Sequence, residues 1–150
     1  MAYWLMKSEP KEVSIDDLMT RKTVPWFGVR NYQARNFMRD AMQVGDQAFF
    51  YHSSCAEPGI AGICEVCALA HPDESQFDPA SPYFDAKATR DNPRWLCVDM
   101  QFVRKTRLLP LAELRQQAEL TSMLLLQRGS RLSITPVTPA EWNHILKRLL

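Results

Sequence analysis

Glycine is scarce in this chain. Five glycines in 150 residues, none adjacent to another, leave no glycine-rich loop of the kind that cradles phosphates. No GxSxG turn presents a serine nucleophile. Cysteine is also sparse: Cys55, Cys64, Cys67 and Cys97 are too few for a secreted disulfide scaffold and read as free thiols of a reducing compartment. No apolar run approaches the roughly 20 residues of a membrane span. The N-terminus, MAYWLMKSEP, has no basic segment ahead of an apolar one. A soluble, cytoplasmic chain that meets no membrane is expected. An excess of one charge is missing too: 18 Lys+Arg against 17 Asp+Glu leave a net charge of +1. No global field draws such a protein onto nucleic acid, so any such binding must come from a local patch or a single pocket.

What is present is an ordinary globular composition, 46% hydrophobic and 23% charged, in a length typical of one domain. One domain over 1–150 is expected, with no internal repeat. Ala2 to Met6 reads as a strand, stopped at Lys7-Ser8-Glu9 by Pro10, which cannot continue a central strand. Ser14-Ile-Asp-Asp17 reads as a capping box opening a short helix to about Arg21. Thr23 to Gly28 reads as a loop. Asn31 caps a second helix, whose buried face is Ala34, Phe37, Met38 and Met42. Gln47 to Tyr51 and Ile60 to Ala70 read as a strand pair joined by the loop Ser53 to Gly59. Pro72 to Pro93 is too polar for core and too aromatic for a disordered linker. It reads as an ordered loop with a short strand near Tyr83 to Ala86. Arg94 to Arg107 alternates, with Leu96, Val98, Met100 and Phe102 on the apolar face. A helix over Leu111 to Gln117, a strand over Arg131 to Ile134 and a last helix opened by Thr138-Pro-Ala-Glu141 complete the order. Strands outnumber helices and βαβ units do not repeat, so the class is α+β or a β-barrel with peripheral helices.

The chemistry concentrates in Pro25 to Ser54. Trp26, Phe27 and Tyr32 are flat aromatics, Asn31 and Gln33 offer bidentate amides, and Arg30 and Arg35 offer guanidinium groups. A flat, hydrogen-bonding ligand tethered to a negative charge fits that set, and a nucleotide has those properties. The competing reading makes Trp26 a core anchor and the arginines a solvated helix face. A CxxC pair at Cys64 and Cys67 lies inside a strand, where residues three apart face opposite ways, so no metal site is expected. His52-Ser53-Ser54 cannot easily orient a hydrogen bond between its own members, so no catalytic residue and no cofactor is assigned.

The motifs YWLMKSEP (3–10), WFGVRNYQARNFMRD (26–40), GDQAFFYHSS (45–54), EPGIAG (57–62), SPYFD (81–85), PRWLCVDM (93–100) and RLSITPVT (131–138) together resemble the EVE domain family, over nearly the whole chain. The resemblance implies a PUA-like fold, a curved mixed β-barrel or sheet flanked by helices, related to YTH domains that hold a methylated base in an aromatic cage. It implies a reader of a modified base in nucleic acid, with modified cytosine in DNA the usual proposal. RNA binding, or an enzyme acting on a nucleotide or small anion, are the alternatives. The implied base pocket is Lys7, Ser8, Glu9, Trp26, Val29, Asn31, Tyr32, His52 and Ser53. The phosphate contacts are Arg30, Arg35 and Arg131. A monomer, resembling bacterial stand-alone members that carry no partner domain, is expected.

Overall fold

The computed structural model describes residues 2–129 and 131–149. Its centre is a mixed six-stranded sheet in the order β2-β5-β4-β3-β1-β6. The strands are β1 (Tyr3–Ser8), β2 (Thr23–Pro25), β3 (Gln47–His52), β4 (Gly59–Pro72), β5 (Leu96–Pro110) and β6 (Ile134–Val137). Four α-helices flank it: α1 (Ile15–Arg21), α2 (Tyr32–Asn36), α3 (Leu111–Arg115) and α4 (Pro139–Leu149). The class is α+β, and no described helix is long and apolar enough to cross a membrane.

β1 and β3 run parallel, with Lys7 beside Tyr51 and Ser8 beside His52. Both are apolar on both faces, as strands covered from two sides must be. Trp4, Met6 and Phe50 enter one buried cluster with Leu18, Trp26 and Met100. Leu5, Phe49 and Tyr51 enter the other with Leu109, Trp142 and Ile145. The period of two thus splits the core between the faces of the sheet. β4 and β5 pair antiparallel with four register shifts, and such bulges sharpen a sheet's bend. One follows Ile60, next to Gly62, where a Cβ would fall 2.4 Å from Ile15 of α1. The same Cβ would fall 2.6 Å from the Arg104 carbonyl oxygen of β5, a backbone atom that cannot yield as a side-chain tip can, so the position requires glycine.

The helix starts follow the capping chemistry. Ser14 and Asp17 bond each other's backbone reciprocally, as do Thr138 and Glu141. Asn31 Oδ1 accepts the Ala34 N–H at 3.1 Å. α2 continues as one π-helical turn over Phe37–Ala41, which seats Met38 and Met42 in the core.

Three expectations are corrected. Thr23–Pro25 is an edge strand, not a loop, with Val24 opposite Met100; three residues ending in proline are too short for alternation to show. Tyr83–Ala86 is not a strand: it is folded by turns, with the Asp85 N–H donating to the Gln76 carbonyl at 3.0 Å. The sixth strand begins at Ile134 rather than Arg131, so Arg131 to Ser133 stay outside the sheet.

Candidate functional site

The parallel register of β1 and β3 brings two chain ends together. The Ser53 N–H donates to the Ser8 carbonyl at 2.9 Å, and the Lys7 N–H donates to the Ser133 carbonyl at 2.8 Å. Beyond these strand ends opens a cavity of about 450 Å³. Nine residues expected at the site border it: Lys7, Ser8, Glu9, Trp26, Val29, Arg30, Asn31, Ser53 and Arg131. Phe27, Gly28 and Ser54 of the Pro25–Ser54 stretch line it as well, with Glu12 and Tyr83, for which no role was expected.

Trp26 is only 6% exposed. Its backbone N–H donates to the Val98 carbonyl at 2.8 Å, and its ring meets Phe50 edge-on at 5.4 Å. It is a core anchor that also borders the cavity. Asn31 spends its oxygen on the helix cap, which leaves its amide hydrogens for the cavity. Ser8 Oγ donates to the Val13 carbonyl at 2.6 Å and keeps its lone pairs.

Three expected site residues lie outside the cavity lining. Tyr32 stacks on Trp95 with ring centroids 4.8 Å apart, and the Arg35 guanidinium sits 4.7 Å over the Tyr32 ring. Arg35 itself donates to the Arg94 carbonyl and to Asn36 Oδ1. His52 Nε2 accepts the Ile15 N–H at 3.1 Å, so this ring nitrogen carries no proton and holds the start of α1. Burial is the main reason its pKa falls below the usual histidine value. His52 thus serves the fold, not the cavity.

Arg30, expected at phosphate, borders the cavity with its donors engaged inside the protein. Its Nε and Nη2 donate to the Tyr83 carbonyl at 3.1 and 2.7 Å, and Nη2 also reaches Ser75 Oγ at 3.1 Å. Nη1 donates to the Val29 carbonyl at 2.9 Å and to Asp73 Oδ2 at 3.2 Å. A guanidinium has five N–H donors, and all five are used. The guanidinium also lies 5.5 Å from the Tyr83 ring centre and 5.3 Å from that of Trp95.

Asp73, 1% exposed, receives the Gly28 N–H at 2.8 Å in addition to Arg30. Gly28 has φ +82°, and a Cβ there would fall 2.8 Å from the Tyr83 ring. Tyr83 closes this side of the cavity, donating its hydroxyl to Glu12 at 2.6 Å. Burial and that bond push the Tyr83 pKa up to about 12. The opposite corner differs. Lys7 is half-buried, and burial alone pushes its ammonium below the usual lysine value. Among the described residues neither Lys7 nor Arg131 forms an ion pair.

The family model of the EVE domain matches residues 2–148. This chain belongs to the EVE domain family. It is 46% identical to human thymocyte nuclear protein 1, over 97% of this chain and 72% of the human protein. Among solved structures, a Pseudomonas syringae protein is 53% identical with a TM-score of 0.96, covering 99% of this chain and all of that one. Human THYN1 in complex with 5-methylcytosine containing DNA is 47% identical with a TM-score of 0.91, covering 99% and 97%. These vertebrate relatives are named nuclear, which lends the cytoplasmic expectation no support.

In this EVE domain the residues that sequence reasoning missed are those that shape the cavity from behind. Gln76 is fully buried. Its Nε2 donates to the Asp73 and Trp95 carbonyls, and its Oε1 accepts the Arg94 and Trp95 N–H groups, all at 2.7–3.0 Å. Asp73 and Gln76 pin the 72–95 segment and so carry Tyr83 over Gly28. The only sequence signal was the segment's mixture of aromatic and turn residues. The CxxC cysteines part as expected: Cys64 Sγ faces the Ala48 carbonyl and Cys67 Sγ that of Asp99.

Proposed function

We propose that this EVE domain is a nucleic-acid reader and that its cavity takes a single modified base, a modified cytosine of DNA. The observation that carries the reading is the cavity itself. At about 450 Å³ it lies within the roughly 300–1,000 Å³ typical of small-ligand sites. It combines the Trp26 ring with polar groups left over after internal bonding, on Lys7, Glu9, Asn31 and Ser53. An aromatic surface with a few convergent hydrogen-bonding groups suits a base removed from its stack. A relative at 47% identity has been solved with 5-methylcytosine containing DNA. The near-neutral net charge of +1 fits a module whose affinity resides in one pocket. A binding role accounts better for these residues than an enzymatic one, because His52, the obvious general base, accepts a backbone N–H of α1.

Titration with oligonucleotides that differ only in one 5-methylcytosine tests the reading. The methylated strand is expected to bind more tightly, and Trp26→Phe to weaken it by part of the roughly 1–3 kcal/mol that stacking supplies. Phenylalanine keeps most of the core volume. Equal binding of both strands would defeat the proposal. The same sequence as RNA, used as competitor, decides the polymer.

A further inference from the structure

The cavity's charged groups divide into two sets once internal bonds are subtracted. On one side Arg30 has no donor left, and Glu12 receives the Tyr83 hydroxyl through both oxygens. Glu9 belongs to the same turn as Glu12, whose backbone N–H donates to the Glu9 carbonyl at 2.9 Å. On the other side stand Lys7 and Arg131, which border the cavity and form no ion pair among the described residues. Their segments are tied by the Lys7 N–H donating to the Ser133 carbonyl. Neither glutamate lies within ion-pair distance of Lys7, and burial pushes its ammonium below the usual lysine value. A half-buried cation without a counter-charge is costly, and in a cleft it marks a place for a ligand.

We propose that Lys7 and Arg131 form an anion subsite inside the cavity, with Lys7 as the deeper, selecting group. Its ligand is an oxyanion carried by the nucleotide, supplied either by an acidic substituent on the base or by the nucleotide's own phosphate. Arg131, exposed at the mouth, assists from outside. The polarity also orients the ligand: its negative end lies toward Lys7, and its N–H donors toward Glu9. This rests on the base-binding reading and adds which chemical group the cavity selects.

The test uses the full chain and two matched pairs of probes. One is a strand with 5-carboxylcytosine against the same strand with 5-methylcytosine; the other is deoxycytidine monophosphate against deoxycytidine. At least one pair is expected to differ tenfold or more in Kd in favour of the anionic member. That preference should vanish in Lys7→Met, shrink several-fold in Arg131→Met and return in Lys7→Arg. A preference in the first pair places the anion on the base; one in the second places it on the phosphate. No preference in either pair, or a preference that persists in Lys7→Met with native circular dichroism, overturns the subsite. Loss of the distinction between methylated and unmodified strands alone would overturn the reader role instead, so the two failures are separable.

Discussion

The wall of the cavity that carries Arg30 and the corner that carries Lys7 each hold a cation, but in opposite ways. Arg30 is clamped by an ion pair to buried Asp73 at 3.2 Å, by carbonyls and by two aromatic faces. Every donor is used, and the group acts as a rivet between the Trp26–Asn31 segment and the 72–95 segment. Lys7 projects from the end of a central strand with no ion-pair partner among the described residues, and its ammonium is destabilised by burial. Sequence sets both among the expected site residues, Lys7 in the base pocket and Arg30 at phosphate. Structure separates a cation that builds the cavity from one left for what enters it. A charge already satisfied stabilises the fold, whereas an unsatisfied one costs stability until a ligand arrives.

If the Arg30 wall is structural, the largest stability effect lies behind it, at Gln76. Gln76→Leu leaves the Arg94 and Trp95 N–H groups without a partner, and it removes one of two donors from each of the Asp73 and Trp95 carbonyls, which keep the Gln76 and Asp73 backbone N–H groups. Each buried unpaired group costs about 1–3 kcal/mol, so a loss of roughly 3–5 kcal/mol is expected in urea unfolding. The 72–95 segment should also become sensitive to protease. A loss below about 1 kcal/mol would mean that this wall is not held as described.

A middle-sized effect concerns the tie across the mouth. The Tyr83 hydroxyl bonds Glu12, and the Tyr83 pKa is raised to about 12. For a raised pKa, stability is fully present below the unfolded value, near 10, and is lost as pH rises toward 12. Tyr83→Phe should therefore cost about 1 kcal/mol at pH 7 to 9. The gap from the parent should close above pH 10. A gap that stays constant to pH 12 would show that the hydroxyl contributes nothing through its proton.

The contrast also explains what could be read in advance. Caps at Ser14, Asn31 and Thr138 act within three residues, and strands such as Leu96–Phe102 carry a period of two, so local rules suffice for both. The first strand's end and the Trp26 segment were recognisable because their motifs are contiguous. The Arg30 donor count was not, since its partners Asp73, Ser75 and Tyr83 lie 43 to 53 residues away. The surroundings of Tyr32 and His52 were hidden for the same reason. Their side chains are taken by Trp95 and by the Ile15 N–H, contacts that span 63 and 37 residues.

The smallest stability effect belongs to the other corner and is the sharpest discriminator. Lys7→Met keeps a similar aliphatic length and removes a half-buried charge that has no partner among the described residues. No hydrogen bond is lost from the fold, because the strand pairing and the bond to Ser133 use backbone groups. The unfolding free energy in urea is therefore expected to stay within about 0.5 kcal/mol of the parent, or to rise, since apolar replacement of an uncompensated charge relieves its desolvation cost. A drop of 2 kcal/mol or more would reveal a structural partner for Lys7 and would place it with Arg30 among the residues that build the cavity.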